Sequence, residues 1–249
     1  MNSNGPGLIF IGFVAVALIV ISLLGRKAQK TLREIPALTS LYRAIGLSVE
    51  DGSRLHVSLG FGGLLTPRGG SALAALSALR HIAERTSVSD RPPVATSGDP
   101  TTALLSQDTL QAGYTAAGAE ELYVPATGRL TGMSQFGFAA GAMPVISNEN
   151  VSANVMLGHF GPEAALLTDA AERNNIVTIG ASDDIAAQSI LFAASQDPLI
   201  GEELYAVSAY LSNDPVHTAS LTTQDILRWV IILILLVAAA LELLGVGVI

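Results

Sequence analysis

The sequence predicts an α/β fold: an open, mostly parallel sheet of about six strands with helices on both faces, flanked by an N-terminal and a C-terminal transmembrane helix. Three observations support this prediction. Short apolar runs alternate with helical stretches of about 10 to 15 residues, a pattern typical of parallel strands joined by right-handed crossovers. The runs are apolar almost throughout, as expected where helices cover both faces of a sheet. Long apolar segments also begin and end the printed sequence.

The first apolar segment predicts a transmembrane helix over residues 1–25. Its uncharged part, residues 8–24, reaches about 26 Å, near the short end for a spanning helix. A cleaved signal peptide is the alternative, but it calls for basic residues before the apolar run, and residues 1–7 hold no Lys or Arg. Basic residues follow the run instead, at 26–33, so the positive-inside rule predicts an outside N-terminus and a cytoplasmic domain.

Residues 55–212 predict the α/β domain, which follows a basic juxtamembrane connector over 26–54. Its strands are predicted over 55–60, 93–97, 121–125, 153–157, 176–180 and 198–200. Its helices are predicted over 71–85, 102–117, 133–146, 162–173, 185–195 and 202–211. Leucines at intervals of three mark the first of these helices, and Asp99 followed by Pro100 marks the start of the second. The alternation is Rossmann-like in the broad sense, with the strand order left open.

The last apolar segment predicts a second transmembrane helix over 226–249, after a connector over 213–225. Arg228 and Trp229 suit its cytoplasmic interface. Glu242 is anomalous because it lies about 21 Å beyond Arg228 along a helix. Two interpretations stand: the helix ends near Glu242, or Glu242 lies in the bilayer and pairs with a basic group on another subunit. We therefore expect a two-pass protein of the cell membrane with both termini outside.

Charge and cysteine content exclude several classes of function. Residues 31–225 hold 9 Arg and no Lys against 20 Asp plus Glu, so this part carries −11 and lacks the basic stripe of nucleic-acid-binding proteins. The absence of Cys excludes disulfides, thiolate catalysis and Cys-ligated metals. The four His lie too far apart in sequence to form a local metal-binding pair. We expect no nucleic-acid partner and no metal site, and the sequence identifies no cofactor.

Candidate ligand-binding residues lie in the strand-to-helix turns, because open α/β sheets bind ligands beyond the carboxyl ends of their strands. The candidates are Gly62, Gly63, Arg68, Ser97, Asp99, Thr101, His159, Glu163 and Asp183. The glycines suit a close-packed turn or a phosphate site, although neither G-x-G-x-x-G nor a P-loop pattern is present. Arg68 is the natural partner for an anion at this turn.

Structural roles compete with binding at the other candidates. Asp99 is expected to cap a helix, and acidic residues in first helical turns are ordinary partners of the helix dipole, although such clusters can also hold Mg²⁺. His159 is the only histidine at a predicted strand end, where packing is commoner than catalysis. No catalytic residue is predicted, since the segment around Ser134 misses the nucleophile-elbow pattern by one residue.

Four turn segments carry a family resemblance. They are residues 96–101, 152–158, 160–164 and 200–204. With them, the layout resembles an uncharacterised prokaryotic membrane-protein family, a domain of unknown function with a Rossmann-like core between two terminal transmembrane helices. The resemblance spans nearly the whole chain and implies this architecture, but it implies no activity and no catalytic residues.

The sequence leaves two functions open. The first is a non-enzymatic, membrane-anchored protein that self-associates or serves as a subunit of a larger membrane complex, in contact with the lipid bilayer. The charge-poor stretches 71–79 and 186–194 favour it, because interface cores lose charge, although burial against the sheet explains them equally well. The alternative is a membrane-tethered Rossmann-like module that binds a nucleotide or other anionic small molecule over the turns 60–70 and 97–102.

Overall fold

A sheet of six parallel strands forms the centre of the domain, residues 33–211. The computed structural model describes residues 12, 14–16, 19–20, 33–212 and 215–243. The strands are β1 (Arg54–Gly60), β2 (Val94–Ser97), β3 (Gly128–Leu130), β4 (Val151–His159), β5 (Val177–Ser182) and β6 (Asp197–Leu199). They are ordered β3-β2-β1-β4-β5-β6, and each neighbouring pair is parallel. This confirms the predicted parallel α/β sheet, and its Rossmann-like order reverses between β1 and β4.

Seven helices of the described domain cover the two faces of the sheet. They are α1 (Pro36–Glu50), α2 (Gly69–Thr86), α3 (Pro100–Ala116), α4 (Gln135–Asn148), α5 (Ala164–Arg173), α6 (Ile185–Ala194) and α7 (Glu203–Ser212). One apolar core lies between the sheet and α1, α2, α3 and α7. A second core lies between the other face and α4, α5 and α6. Both faces of the strands are therefore buried, which explains why the strands are mostly apolar.

Register across the central strands shows how the first core forms. Val57, Val155 and Ile179 are direct neighbours on β1, β4 and β5, and all three are fully buried. Since alternate residues of a strand point to the same face, the intervening residues of these strands face the second core. The β-branched side chains thus align into a layer that fixes the pairing of the three strands.

A helix occupies most of the predicted connector over 26–54. Helix α1 has Pro36 in its first turn, and its Leu38, Leu41 and Ile45 are buried against the sheet. Their spacing is that of one helix face. The basic residues before this segment predict a linker at the membrane edge. The buried apolar residues within the segment show instead that it is a helix of the domain.

The strand predicted over 121–125 is wrong. Two short 3₁₀ turns, Glu120–Leu122 and Pro125–Thr127, lie there, and the edge strand β3 follows them. Pro125 lacks the N–H that a sheet ladder needs. Gly128 pairs with β2. A Cβ at this position would lie 2.6 Å from Cγ of Gln107 on α3, so the pairing requires a residue without a side chain.

The C-terminal helix α8 (Pro215–Leu243) begins earlier than predicted, so the described part of the connector 213–225 is helical. Within it, His217–Leu243 is the one helix among the described residues that is long and apolar enough to cross a membrane, judged by length and composition. Glu242 lies in its last described turn. The N-terminal transmembrane helix predicted over 1–25 lies largely outside the described residues, and so do residues 244–249.

Candidate functional site

The point where the strand order reverses, here called the switch point, brings together the turns after β1 and β4. Gly60 ends β1 and is paired with His159 at the end of β4. The amide of the next residue, Phe61, donates to the carbonyl oxygen of His159 at 3.1 Å. Gly60 has a φ of +75°, and a Cβ on it would overlap the same carbonyl. A glycine is therefore required for the two strand ends to meet this closely.

His159 and Asp183 form a hydrogen-bonded pair at this edge. Nδ1 of His159 lies 2.6 Å from Oδ1 of Asp183, and both side chains are largely buried. A carboxylate only accepts, so Nδ1 of His159 donates to Asp183 and Nε2 takes no part in this hydrogen bond. An imidazole oriented by a carboxylate in this way is the arrangement that enzymes use for proton transfer. The Phe61 ring packs beside it, with ring centroids 5.1 Å apart.

Arg68 lies against this pair and presents its positive charge to solvent. Its Nη1 is 3.3 Å from both ring nitrogens of His159 and 3.2 Å from Oδ2 of Asp184. Because Nδ1 already donates to Asp183, these equal distances describe a guanidinium packed on the imidazole rather than one bonded to a single nitrogen. The Arg68 side chain is 51% exposed, so the cation is accessible while its position is fixed.

Asp184 holds Arg68 from the N-cap position of α6. Its Oδ1 accepts from the amides of Ala186 at 2.9 Å and Ala187 at 3.2 Å, so it also caps the helix. Although desolvation favours the neutral acid, the amide hydrogen bonds and the Arg68 guanidinium lower the pKa of Asp184 below its ordinary value. Asp184 is therefore ionised at neutral pH and partly offsets the charge of Arg68.

The two glycines of the β1–α2 turn serve close packing. A Cβ on Gly62 would lie 2.5 Å from Cβ of His159, and one on Gly63 would lie 2.8 Å from Oδ1 of Asp99. Protein atoms already fill the space beside both residues. Of the two interpretations of this turn, the geometry favours the packed turn over a cradle of backbone amides for phosphate.

The turn after β2 is held by hydrogen bonds within itself. Oδ2 of Asp99 accepts from the amide of Thr102 at 2.8 Å and from its hydroxyl at 3.1 Å, as expected for a helix cap. The Ser97 hydroxyl accepts from the Asp99 amide at 3.1 Å. Thr101 is exposed in the first turn of α3. Ser97, Asp99 and Thr101 therefore lie on the carboxyl edge of the sheet. The side chains of Ser97 and Asp99 are used in the hydrogen bonds that hold the turn.

Glu163 is buried and its oxygens are occupied. Oε1 accepts from the amide of Gly161 at 2.9 Å, and Oε2 accepts from Nε2 of Gln135 at 2.6 Å. This carboxyl therefore ties the β4–α5 turn to the start of α4. Sequence patterns do not single out Gln135 or Phe61, because neither residue type signals a site by itself and both contacts join distant parts of the chain.

The structure thus brings Arg68, His159, Asp183 and Asp184 together in one polar cluster, and Asp99, from the turn after β2, lies beside Gly63. Within the described part of the chain, no group of three or more His, Asp or Glu is arranged to hold a metal ion. The cluster combines a half-exposed cation with an imidazole and two carboxylates, so Arg68 is the group in it that can bind an anion.

A second polar group is buried inside the sheet. Nδ1 of His56 lies 2.8 Å from Oδ1 of Asn154, and Nε2 lies 2.8 Å from the Thr96 hydroxyl. Burial lowers the pKa of His56 to about 4, so the ring is neutral. Its polar neighbours satisfy both nitrogens, which indicates a structural role.

Comparisons with known proteins identify a family but no activity. The family model described as a domain of unknown function (DUF6754) matches residues 4–249. No curated protein matches the chain, and no solved structure does. The match confirms the resemblance to an uncharacterised family, whose prokaryotic and membrane character stay predictions.

Proposed function

The chain belongs to the family of the domain of unknown function DUF6754, and from that premise we propose that its α/β domain is a membrane-tethered module that binds an anionic small molecule, such as a nucleotide, at the switch point. One observation carries the proposal: the Arg68 guanidinium is fixed by His159 and Asp184, yet half of its side chain faces solvent. Open α/β domains bind their ligands at this position.

The chemistry of arginine favours a phosphate or carboxylate ligand. The contacts of Arg68 to His159 and Asp184 use Nη1, so Nε and Nη2 can donate side by side to two oxygens of a ligand. Nε2 of His159 adds a second hydrogen-bonding nitrogen beside Arg68, and it can donate to the same ligand only when the ring carries a proton on both nitrogens. Asp184 competes with the ligand for Arg68, so ligand binding would draw the guanidinium away from this carboxylate.

The test is ligand binding by the full chain in mild detergent. Isothermal titration with ATP, AMP, inorganic phosphate and citrate should give at least one saturable signal, and R68A should weaken it about tenfold or more, since hydrogen bonds to charged groups contribute about 1.5–3 kcal/mol. R91A, which removes an exposed arginine from the opposite edge of the sheet, should bind as the wild type does. The proposal is wrong if no ligand binds or if R68A binds like R91A.

Self-association is the second candidate function, and the outer face of α6 favours it. This helix has no charged residue, and Ile185 and Phe192, seven residues apart and so on one side, are strongly exposed. The other charge-poor stretch, in α2, has most of its apolar side chains buried against the sheet, so burial explains its composition. Burial does not explain the outer face of α6, which suits an interface between copies.

Native mass spectrometry of the full chain in mild detergent tests this candidate. We expect a discrete oligomer for the wild type and a shift to monomer for F192E, because a buried carboxylate would oppose packing of the two faces. V88E, which places the same charge at an exposed valine on the opposite edge, should leave the oligomer intact. A wild-type chain that is monomeric in detergent and in lipid discs excludes self-association.

A further inference from the structure

Exposed apolar side chains lie along the edge of the sheet that carries the switch point. Leu65 is 90% exposed, Ile185 81%, Met133 76% and Phe136 57%. These four residues, here called the apolar rim, lie in the turns that follow β1, β5 and β3 or in the first helical turn after them. All of them therefore lie on the carboxyl edge of the sheet, the edge that carries Arg68.

The carboxyl edge differs from the rest of the described domain in how strongly its apolar side chains are exposed. Single exposed apolar residues are common on protein surfaces and need no function. Among the described residues of the domain, however, the three most exposed large apolar side chains, Leu65, Ile185 and Met133, all belong to the rim. Strands lie about 4.8 Å apart, so the rim extends for about 19 Å from β3 to β5, with the polar cluster between its ends.

We propose that the switch-point ligand is a zwitterionic phospholipid, whose phosphate pairs with Arg68 and whose acyl chains contact the apolar rim. This inference rests on the proposed function, because the phosphate is the anionic group that Arg68 would bind, and it specifies the ligand class of the same site. A cation set among exposed apolar groups matches the junction of a phosphate headgroup with its acyl chains. The chain also contains α8, long and apolar enough to cross a bilayer by length and composition, so lipid would be at hand.

The charges beside Arg68 select a headgroup that carries its own cation. Asp184 contacts Arg68, and Asp183 lies next to it in sequence and contacts His159. An ammonium group can pair with these carboxylates once the phosphate has taken Arg68. A purely anionic headgroup gains no such partner, and residues 31–225, with 9 Arg and no Lys against 20 acidic residues, would repel an anionic surface. Phosphatidylethanolamine has the expected chemistry.

The experiment compares a short-chain lipid with its free headgroup on the full chain in lipid-free detergent. Dihexanoylphosphatidylethanolamine should bind at least tenfold more tightly than phosphoethanolamine and more tightly than dihexanoylphosphatidylglycerol. The double variant L65S/M133S should lose at least tenfold in affinity for the lipid and keep wild-type affinity for phosphoethanolamine. R68A should lose affinity for both the lipid and phosphoethanolamine. V88S, on the opposite edge of the sheet, should keep wild-type affinity for both.

The outcomes separate the two proposals. If phosphoethanolamine binding depends on Arg68 but L65S/M133S binds the lipid like the wild type, the lipid inference is overturned while the anion site stands. A preference for the phosphatidylglycerol lipid also overturns the inference, because it contradicts the role of the two aspartates. If neither compound binds in an Arg68-dependent way, both proposals fail. Background binding of lipid to α8 is common to all variants and cancels in the comparison.

Discussion

A buried histidine on the central strand predicts that the fold loses stability in acid. His56 is fully buried, and burial lowers its pKa from 6.5 to about 4. The unfolded chain binds a proton on this residue near pH 6.5, whereas the folded chain does not bind it until pH 4. The contribution of His56 to stability is therefore complete above pH 6.5 and is lost as the pH falls toward 4.

We expect this single residue to lower the free energy of unfolding by roughly 3 kcal/mol between pH 7 and pH 4. Denaturant unfolding of the full chain at several pH values measures it. H56Q removes the titrating group and should flatten the profile, although it also lowers stability at neutral pH. H81Q, at a partly exposed histidine of α2, should keep the wild-type slope. Equal slopes for the wild type and H56Q would assign the acid sensitivity to other groups.

The glycine beside the candidate site gives a second prediction for a single residue. In G62A the new Cβ would lie 2.5 Å from Cβ of His159, so the turn or the imidazole must move. We expect a loss of about 1–3 kcal/mol in stability, typical of overpacking, and weaker ligand binding. G46A is the matched control, because nothing lies within 4 Å of a Cβ there and alanine favours the α1 helix. Thermal unfolding should separate the two, with G46A at or above wild type.

At the scale of elements, an ion-pair triad joins the edge of the sheet to its centre. Glu149, which ends α4, is hydrogen-bonded to Arg54 at the start of β1 and to Arg129 on β3. Desolvation favours the neutral acid, but the two guanidinium groups outweigh it and lower the pKa of Glu149. The edge strand β3 has only three residues, so we expect this triad to contribute to its attachment beside the pairing with β2.

We expect E149Q to destabilise the domain by about 1–2 kcal/mol, because two partly buried arginines lose their shared carboxylate. D169N, which breaks the exposed Asp169–Arg173 pair of α5, should change stability by less than about 0.5 kcal/mol. Urea unfolding compares them. Hydrogen exchange should also rise in β3 of E149Q before it rises in β4. Equal effects of the two substitutions would show that the triad is no stronger than a surface pair.

The elements differ in how far sequence alone could predict them. Strands β1, β4 and β5 are long and buried on both faces, so their apolar runs identify them within a few residues. Edge strand β3 is too short to show a period, and the apolar run before it contains Pro125, so the strand is misplaced. Helix α1 has a clear apolar spacing, but the basic residues before it favour a linker instead.

The candidate site was predictable in position but not in detail. Parallel strands place all their carboxyl ends on one edge, so His159, Asp183 and Arg68 were expected there together. The hydrogen bond that engages Glu163 comes from Gln135, 28 residues away, and the space beside Gly63 is filled by Asp99 from the turn after β2. Such contacts follow from the strand order β2-β1-β4, which the sequence does not encode locally.

For the whole molecule, the distribution of charge predicts the topology in the membrane. Twelve of the 13 basic residues lie between the two predicted transmembrane segments, with a cluster at 26–33 after the first, and the thirteenth, Arg228, lies near the start of the second. Lysine and arginine flanking a transmembrane segment are retained on the cytoplasmic side. We therefore expect the domain in the cytoplasm and both ends of the chain outside, with α8 as the second of two membrane-spanning helices.

The absence of cysteine makes this topology directly measurable, because each engineered cysteine is the only thiol in the chain. Ser3→Cys and Val248→Cys should react with a membrane-impermeant maleimide in intact cells. Val88→Cys, strongly exposed on the domain, should react only after the membrane is permeabilised. The unsubstituted chain is the control for nonspecific labelling. If Val248→Cys is labelled in intact cells and Ser3→Cys is not, the N-terminal segment does not cross the membrane as predicted. If Val88→Cys is labelled in intact cells, the domain is outside and the charge argument fails, since the basic flanks would then lie on the wrong side of the bilayer.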